Sequence, residues 1–278
     1  MKHNDVSIII QGPPNKTTLF SILNYKDLAE IIICFNNEND DTKEFEKLFL
    51  NKNIKIITYK KNVIKNEINN LNFPNAVYQF YSTKIGIDIS TKKYCIKTRS
   101  DEFYENMDYF IQCVKNNENC VTTNDVFFRK FKFWKFSASD HLFGSSRKLM
   151  KQAFAFLLDS LKEKDENKRY NLYNYKYALK RDKIWYCSMP DNHLAMEQYI
   201  TMSFLNAIKN NQNITDDGNF FNYDNFRKYF RKINVCDLGQ HKVTHNRNVP
   251  GKPKFWINNF VPDKFYDMDD TFNITKFG

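Results

Sequence analysis

Residues 94–102 read Tyr-Cys-Ile-Lys-Thr-Arg-Ser-Asp-Glu, an apolar, β-favouring run that ends in basic side chains and two adjacent carboxylates. In an α/β domain the carboxyl end of a strand is where ligands collect. Asp101, with Glu102 beside it, offers hard oxygen to a divalent cation, while Lys97 and Arg99 can offset phosphate charge. That combination holds a cation against a diphosphate, as in chemistry on a nucleotide-activated substrate. The plain alternative is a solvated strand end.

Other polar islands carry their own chemistry. Gln11-Gly12-Pro13-Pro14 follows an apolar run, and Gly12 lets a ligand approach the backbone closely. Asn36 ends a second such run and can reach a base or ribose; ordinary turn chemistry is the competing reading for all of these. Asp140-His141 precedes Leu-Phe-Gly, so Asp140 can meet an acceptor hydroxyl or simply bond its own backbone in a turn. Glu197, one turn into a helix that Asp191 can cap, is a candidate general base, although periodicity alone favours a surface glutamate at a positive helix start. His241 and His245 are four apart, a spacing that shares a metal only on a helix, which Val243-Thr244 makes doubtful.

The elements that must position these groups are legible as alternating periods. Apolar runs starting near residues 6, 31, 54 and 94 read as buried parallel strands. Helical spacing follows Thr18, a candidate cap, then Asp40 or Asp41, and then covers 76–90. This repeated βαβ pattern predicts a mainly parallel central sheet flanked by helices. The second half is less regular, with helix signals at 106–116, 146–162 and 194–209 and strand-like pieces at 119–123, 126–136 and 233–238. Residues 163–183 read as a charged, exposed connection, and those after Val249 as irregular structure. No internal repeat or low-complexity linker interrupts the chain, which reads as one domain over 1–278.

Composition narrows the class. The 278 residues are 42% hydrophobic and 16% aromatic, enough for a sizeable core and too apolar for a disordered chain. The formal charge of +10 favours anionic partners, though an abundance of Lys and Asn accounts for it equally well. No stretch approaches the roughly 20 apolar residues that span a bilayer, and the N-terminus lacks the form of a secretion signal. The expected location is cytoplasmic, with association at the cytoplasmic face of a membrane left open. The six cysteines form no Cys-x-x-Cys pair and read as reduced core or near-core residues. Dinucleotide, P-loop, zinc-peptidase and α/β-hydrolase signatures are absent. Phe127–Phe136 alternates aromatic and basic residues, which suits either a half-buried strand or a nucleic-acid surface.

The order of these islands resembles the WavE family of lipopolysaccharide-synthesis glycosyltransferases. The matching pieces are Val6 to Pro13, Tyr94 to Asp101, Ser139-Asp140 with Gly144, and Ala195 to Tyr199. The resemblance implies a GT-A-like α/β fold, with 1–103 binding a nucleotide-sugar and 104–278 an acceptor. It implies transfer from a nucleotide-diphosphate sugar to a glycan or glycolipid, with Mn²⁺ or Mg²⁺ on the donor diphosphate and no nucleic-acid partner. Asp101 matches the metal-binding carboxylate, although residue 99 is Arg where a simple Asp-x-Asp would have a carboxylate, which leaves room for a weaker metal site or for a basic side chain that takes part of the metal's role. Gln11, Gly12, Pro13, Asn36, Lys97, Arg99, Ser100 and Asp101 would line the donor site. Glu197, with Asp140 second, would be the base, and His245 or His241 would complete the metal shell. A sugar nucleotidyltransferase and a non-enzymatic nucleic-acid-binding protein are the alternatives.

Overall fold

In the computed structural model, residues 1–36, 54–60, 64, 74–125, 128, 131, 135–163, 165 and 196–242 are described. Strand β1 (Val6–Gln11) leads to helix α1 (Lys16–Tyr25), β2 (Glu30–Asn36), β3 (Ile54–Tyr59), α2 (Pro74–Ile89), β4 (Tyr94–Arg99), β5 (Glu102–Tyr104) and α3 (Met107–Asn116). Then come β6 (Val121–Asn124), β7 (Phe143–Ser146), α4 (Arg147–Lys162), α5 (Met196–Asn211), α6 (Asp217–Phe220), α7 (Tyr223–Tyr229), β8 (Phe230–Ile233), α8 (Val235–Leu238) and β9 (Gln240–Lys242).

The main sheet runs β3-β2-β1-β4-β7-β6-β8. β3, β2, β1 and β4 are parallel, β7 runs antiparallel to both β4 and β6, and β8 is parallel to β6. The sheet therefore continues past residue 103 through strands of the second half. A separate ribbon pairs β5 with β9 in antiparallel register.

The continuous apolar runs follow from burial on both faces. Ile8, Ile10, Ile31, Ile33 and Ile96 pack on one side with α1 and α3 residues such as Ile22, Phe110 and Ile111. Ile9, Ile32, Cys34 and Cys95 pack on the other side with Phe80 and Ile87 of α2, Phe154 and Leu157 of α4, and Phe204 of α5. Alternate residues serve opposite cores because successive strand side chains point to opposite faces. Each such side chain contributes about 1.5–3 kcal/mol on burial.

α2 presses directly on β1 at Gly86, where an added Cβ would lie 2.4 Å from Ile9 Cγ2. Alanine would gain about 1 kcal/mol of helix propensity there. It would also force apart a branched, fully buried side chain and a helix, at about 1–3 kcal/mol. Gly86→Ala should therefore destabilise the fold, read as a lower urea midpoint. A midpoint at or above wild type would mean that the helix is free to move off the sheet.

Several expectations change. Asn15, not Thr18, caps α1: its side chain accepts from the Thr17 and Thr18 amides, and the Thr18 hydroxyl accepts from the Asn15 amide in return. None of the described residues in 126–136 lies in a strand. Phe128 and Phe136 are buried, and Phe131 and Phe136 meet edge-on at 4.9 Å while Phe128 stacks on Phe226 at 5.6 Å. These rings pack at irregular spacing into one aromatic cluster, which a two-residue alternation cannot do. The strand expected at 233–238 comes earlier, as β8. Asn234 then caps α8, which Gly239 ends in the left-handed conformation. Cys34, Cys95 and Cys113 are buried, whereas Cys236 is exposed. The helix expected near residues 40–50, most of the 163–183 connection and the residues after Val249 lie outside the described residues. Among the described residues, no helix is long and apolar enough to cross a membrane.

Candidate active site

The strand order reverses between β1 and β4: β2 and β3 lie on one side of β1, and β4 on the other. In an open α/β sheet the crevice outside the carboxyl ends at such a reversal is where ligands bind. Gln11 pairs with both Arg99 and Cys34, so the β1 loop and the 99–102 turn leave the sheet side by side. Asn36 ends β2 at the same edge, and Pro13 is exposed at the mouth.

The floor of this crevice is backbone. Gly12 has φ +114°, its amide donates to the Cys34 carbonyl at 3.2 Å, and the Ser100 amide donates to the Gln11 carbonyl at 2.9 Å. A Cβ on Gly12 would come within 2.7 Å of Ser100 Oγ. Helix α1 pins the turn: Thr18 Oγ1 donates to the Ser100 carbonyl, Ser21 Oγ to that of Glu102, and Tyr25 OH to that of Tyr104, at 3.0, 3.3 and 3.0 Å.

Two linked groups of side chains sit on this scaffold. In the first, Arg99 grips Asp101 with a two-point fork, Nε to Oδ1 at 2.8 Å and Nη2 to Oδ2 at 2.9 Å. In the second, the fully buried Glu102 accepts from Tyr104 OH at 2.8 Å and bonds His141 Nδ1. Tyr104 OH in turn accepts from Asn124 at 3.0 Å and Gln240 at 3.2 Å. Asp140 Oδ2 accepts from Gln79 at 2.9 Å, and the Asp140 carbonyl accepts from Lys97 Nζ. Glu102 Oε1 lies 3.6 Å from Arg99 Nε and joins the two groups.

Burial and charge set the protonation states. Burial disfavours the Arg99 cation, but the hydrogen bonds and charge of Asp101, then the charges of Glu102 and Asp140, outweigh it and hold the guanidinium more firmly protonated. Burial works against the Asp140 carboxylate, yet the charges of His141, Lys97 and Arg99 and the Gln79 bond keep its pKa below the usual range. Burial pushes Lys97 down from 10.5 to about 8, with Asp140 opposing.

Between those two values the unfolded chain holds a proton at Lys97 that the folded chain has released, so this lysine's contribution makes stability rise with pH. The gain across the window is on the order of 3 kcal/mol. Urea titrations across it should show a rising term in wild type that is absent in Lys97→Met; parallel profiles would mean that Lys97 does not titrate there.

Gln11, Gly12, Lys97, Arg99, Ser100, Asp101 and Asp140 are thus joined by direct contacts or strand pairing. Glu197 is buried in the first turn of α5. That turn is tied to the segment before Asp140, because Thr201 Oγ1 accepts from the Ala138 amide at 3.1 Å and Gln198 donates to the Lys135 carbonyl at 2.8 Å. The backbone of His241 pairs with Phe103, two residues beyond Asp101, in a strand rather than a helix. The His241 side chain and the whole of His245 lie outside the description. Sequence offers Glu102 as a second oxygen ligand beside Asp101 and gives His141 no role of its own; the structure bonds the two to each other. Tyr104, Gln79 and Asn124 carry no sequence signal, because Gln79 sits inside an ordinary helix pattern and the other two in short strands whose partners are distant in sequence.

Asp101 fits a divalent cation only in one way. Mg²⁺-type sites take one or two carboxylates and complete their shell with substrate phosphate and water. Among the described residues no three His, Cys, Asp or Glu side chains converge to hold a metal. The donor set therefore suits a cation carried on phosphate, and such a cation must contend with the Arg99 fork.

No protein-family model matches the chain, and no curated protein matches it. Solved structures are similar at low identity. Mouse xyloside xylosyltransferase 1 in its apo form has 13% identity and a TM-score of 0.43, over 89% of this chain and 99% of that one. The 4-diphosphocytidyl-2C-methyl-D-erythritol synthase from Anaerococcus prevotii has 13% identity and a TM-score of 0.40, over 75% of this chain and 99% of that one. HddC from Yersinia pseudotuberculosis has 12% identity and a TM-score of 0.35, over 52% of this chain and 78% of that one. Identities and scores this low leave the chemistry to be read from the crevice itself.

Proposed function

We propose that the protein is a glycosyltransferase that moves a sugar from a nucleotide-diphosphate sugar to a hydroxyl of a glycan or glycolipid. The observation that carries this reading is the meeting of the glycine floor with the Arg99–Asp101 pair at the strand-order reversal. Gln11, Gly12, Pro13 and Asn36 would receive the nucleoside. Arg99 and Ser100 would meet the diphosphate, and Lys97 would brace the floor from beneath through the Asp140 carbonyl. A Mn²⁺ or Mg²⁺ ion would be held by Asp101, with His245 or His241 as a further protein ligand. When bound, it would offset charge developing on the departing diphosphate.

The second half of the chain would present the acceptor. Glu197 is the first choice of base, because a carboxylate whose pKa is lowered by neighbouring positive charge, as that of Asp140 is, accepts a proton less readily. Asp140 is the second. Holding donor and acceptor in line would supply much of the remaining acceleration. The WavE resemblance agrees with this reading and rests on its motif residues alone. The nucleic-acid alternative loses support, because Phe128 and Phe136 are buried and cannot stack on bases.

The test is incubation with labelled UDP-, GDP- and CDP-sugars, with and without Mn²⁺, following sugar transfer and donor hydrolysis. Release of a nucleoside diphosphate is expected. Release or consumption of pyrophosphate would point instead to nucleotidyl transfer, and inertness across the panel would defeat the enzyme reading.

A further inference from the structure

We propose that Arg99 guards Asp101, so that the divalent cation and the donor diphosphate bind as a coupled pair and the free cation binds poorly. The inference rests on the donor-site reading above and concerns the order in which that site fills.

The Arg99 fork engages both oxygens of the Asp101 carboxylate. A cation arriving alone must break or share two charge-assisted hydrogen bonds and then sit beside a fixed positive charge. A diphosphate changes the balance, because it offers the guanidinium another bidentate acceptor. Arg99 is placed for that exchange. Its side chain keeps 28% of its surface exposed, and among the described residues its Nη1 donates to no protein acceptor. The backbone need not move, because the turn is pinned to α1 through Thr18 and Ser21. Phosphate takes the guanidinium, the carboxylate turns to the cation, and each event lowers the cost of the other. Linkage requires the coupling to be reciprocal.

The experiment is a Mn²⁺ titration of the whole chain by electron paramagnetic resonance, alone and with UDP, GDP or CDP, corrected for Mn²⁺–nucleotide complexes in buffer. Wild type should bind Mn²⁺ at least about 10-fold more tightly when a nucleoside diphosphate is present. Arg99→Gln, checked for folding by circular dichroism, should bind Mn²⁺ alone at least about 10-fold more tightly than wild type and lose most of the coupling. Arg99→Lys keeps the charge but not the fork, so it should fall between them; it also serves if the glutamine variant does not fold. Equal Mn²⁺ affinity of wild type with and without nucleotide would overturn the proposal. So would an Arg99→Gln protein that binds Mn²⁺ alone no better than wild type, or an Arg99→Lys protein that matches wild type in both titrations. A wild type that binds none of the three nucleotides, with or without Mn²⁺, would instead remove the donor-site reading itself.

Discussion

Asp101→Ala should reduce sugar transfer by about 1,000-fold while leaving the sheet folded. On the proposed reading a cation held by Asp101 would contribute several kcal/mol at the leaving diphosphate, and each 1.4 kcal/mol is a factor of ten in rate. The structural cost should be smaller. Arg99 loses its two-point partner but remains 28% exposed and has Glu102 at 3.6 Å, so water and a second carboxylate can take up its charge. Asp101 itself is buried, so the loss lies between that of an exposed ion pair and that of breaking a fully buried one, about 1–3 kcal/mol. The decisive comparison is kcat against the urea midpoint in one variant. An Asp101→Ala protein with wild-type turnover would remove this residue from the site, whereas collapse of both quantities together would make it a structural residue.

Gly12→Ala should be nearly as damaging, for a different reason. At φ +114° an L side chain is strained by about 1–3 kcal/mol. Its Cβ would also lie 2.7 Å from Ser100 Oγ, inside contact distance. Ser100 is buried, and its carbonyl is bonded to Thr18, so the pinned turn cannot simply withdraw. A stability loss of about 2–4 kcal/mol is expected, with nucleoside diphosphate affinity falling at least about 10-fold because the floor of the crevice would carry a methyl group. Removing the hydroxyl in a Gly12→Ala, Ser100→Ala double variant should recover the contact part of the loss and leave the strain. A neutral single variant would show that this turn relaxes freely and does not shape a binding surface.

The parallel half of the sheet was legible because its strands are buried on both faces. Val6 to Ile10 and Ile31 to Phe35 have no polar face to confuse the period, and Tyr94 to Ile96 leads straight into Lys97, Arg99 and the two carboxylates. What escaped notice is short or irregular. β5 and β9 have three residues each, and β7 is four residues reading Phe-Gly-Ser-Ser, which resembles a turn until β4 and β6 are seen on either side of it. The aromatic stretch before Phe136 reads as a strand because rings that gather in one cluster can stand at alternate positions by chance.

The candidate site divides along the same line. Asp101 and Gly12 follow strands, so their place at the sheet edge follows from topology. The Glu102–His141 contact joins residues 39 apart. The Tyr104–Asn124 contact crosses 20. Partnerships of that kind are set by tertiary packing, and no local period encodes them. Arg99 was visible as a charge; that it spends its fork on Asp101 was not.

The ribbon of β5 and β9 has a consequence for how this crevice is built. Gln240 reaches Tyr104 across 136 residues of sequence, and Tyr104 anchors Glu102 beneath the Arg99–Asp101 pair. Closing so long a loop costs entropy that local contacts do not return until late. As the polypeptide emerges from a ribosome, the parallel strands can assemble early, but the acidic turn lacks the Gln240 support until that residue has been synthesised. A nascent chain cut short before that point would keep a recognisable sheet with an unfinished crevice edge.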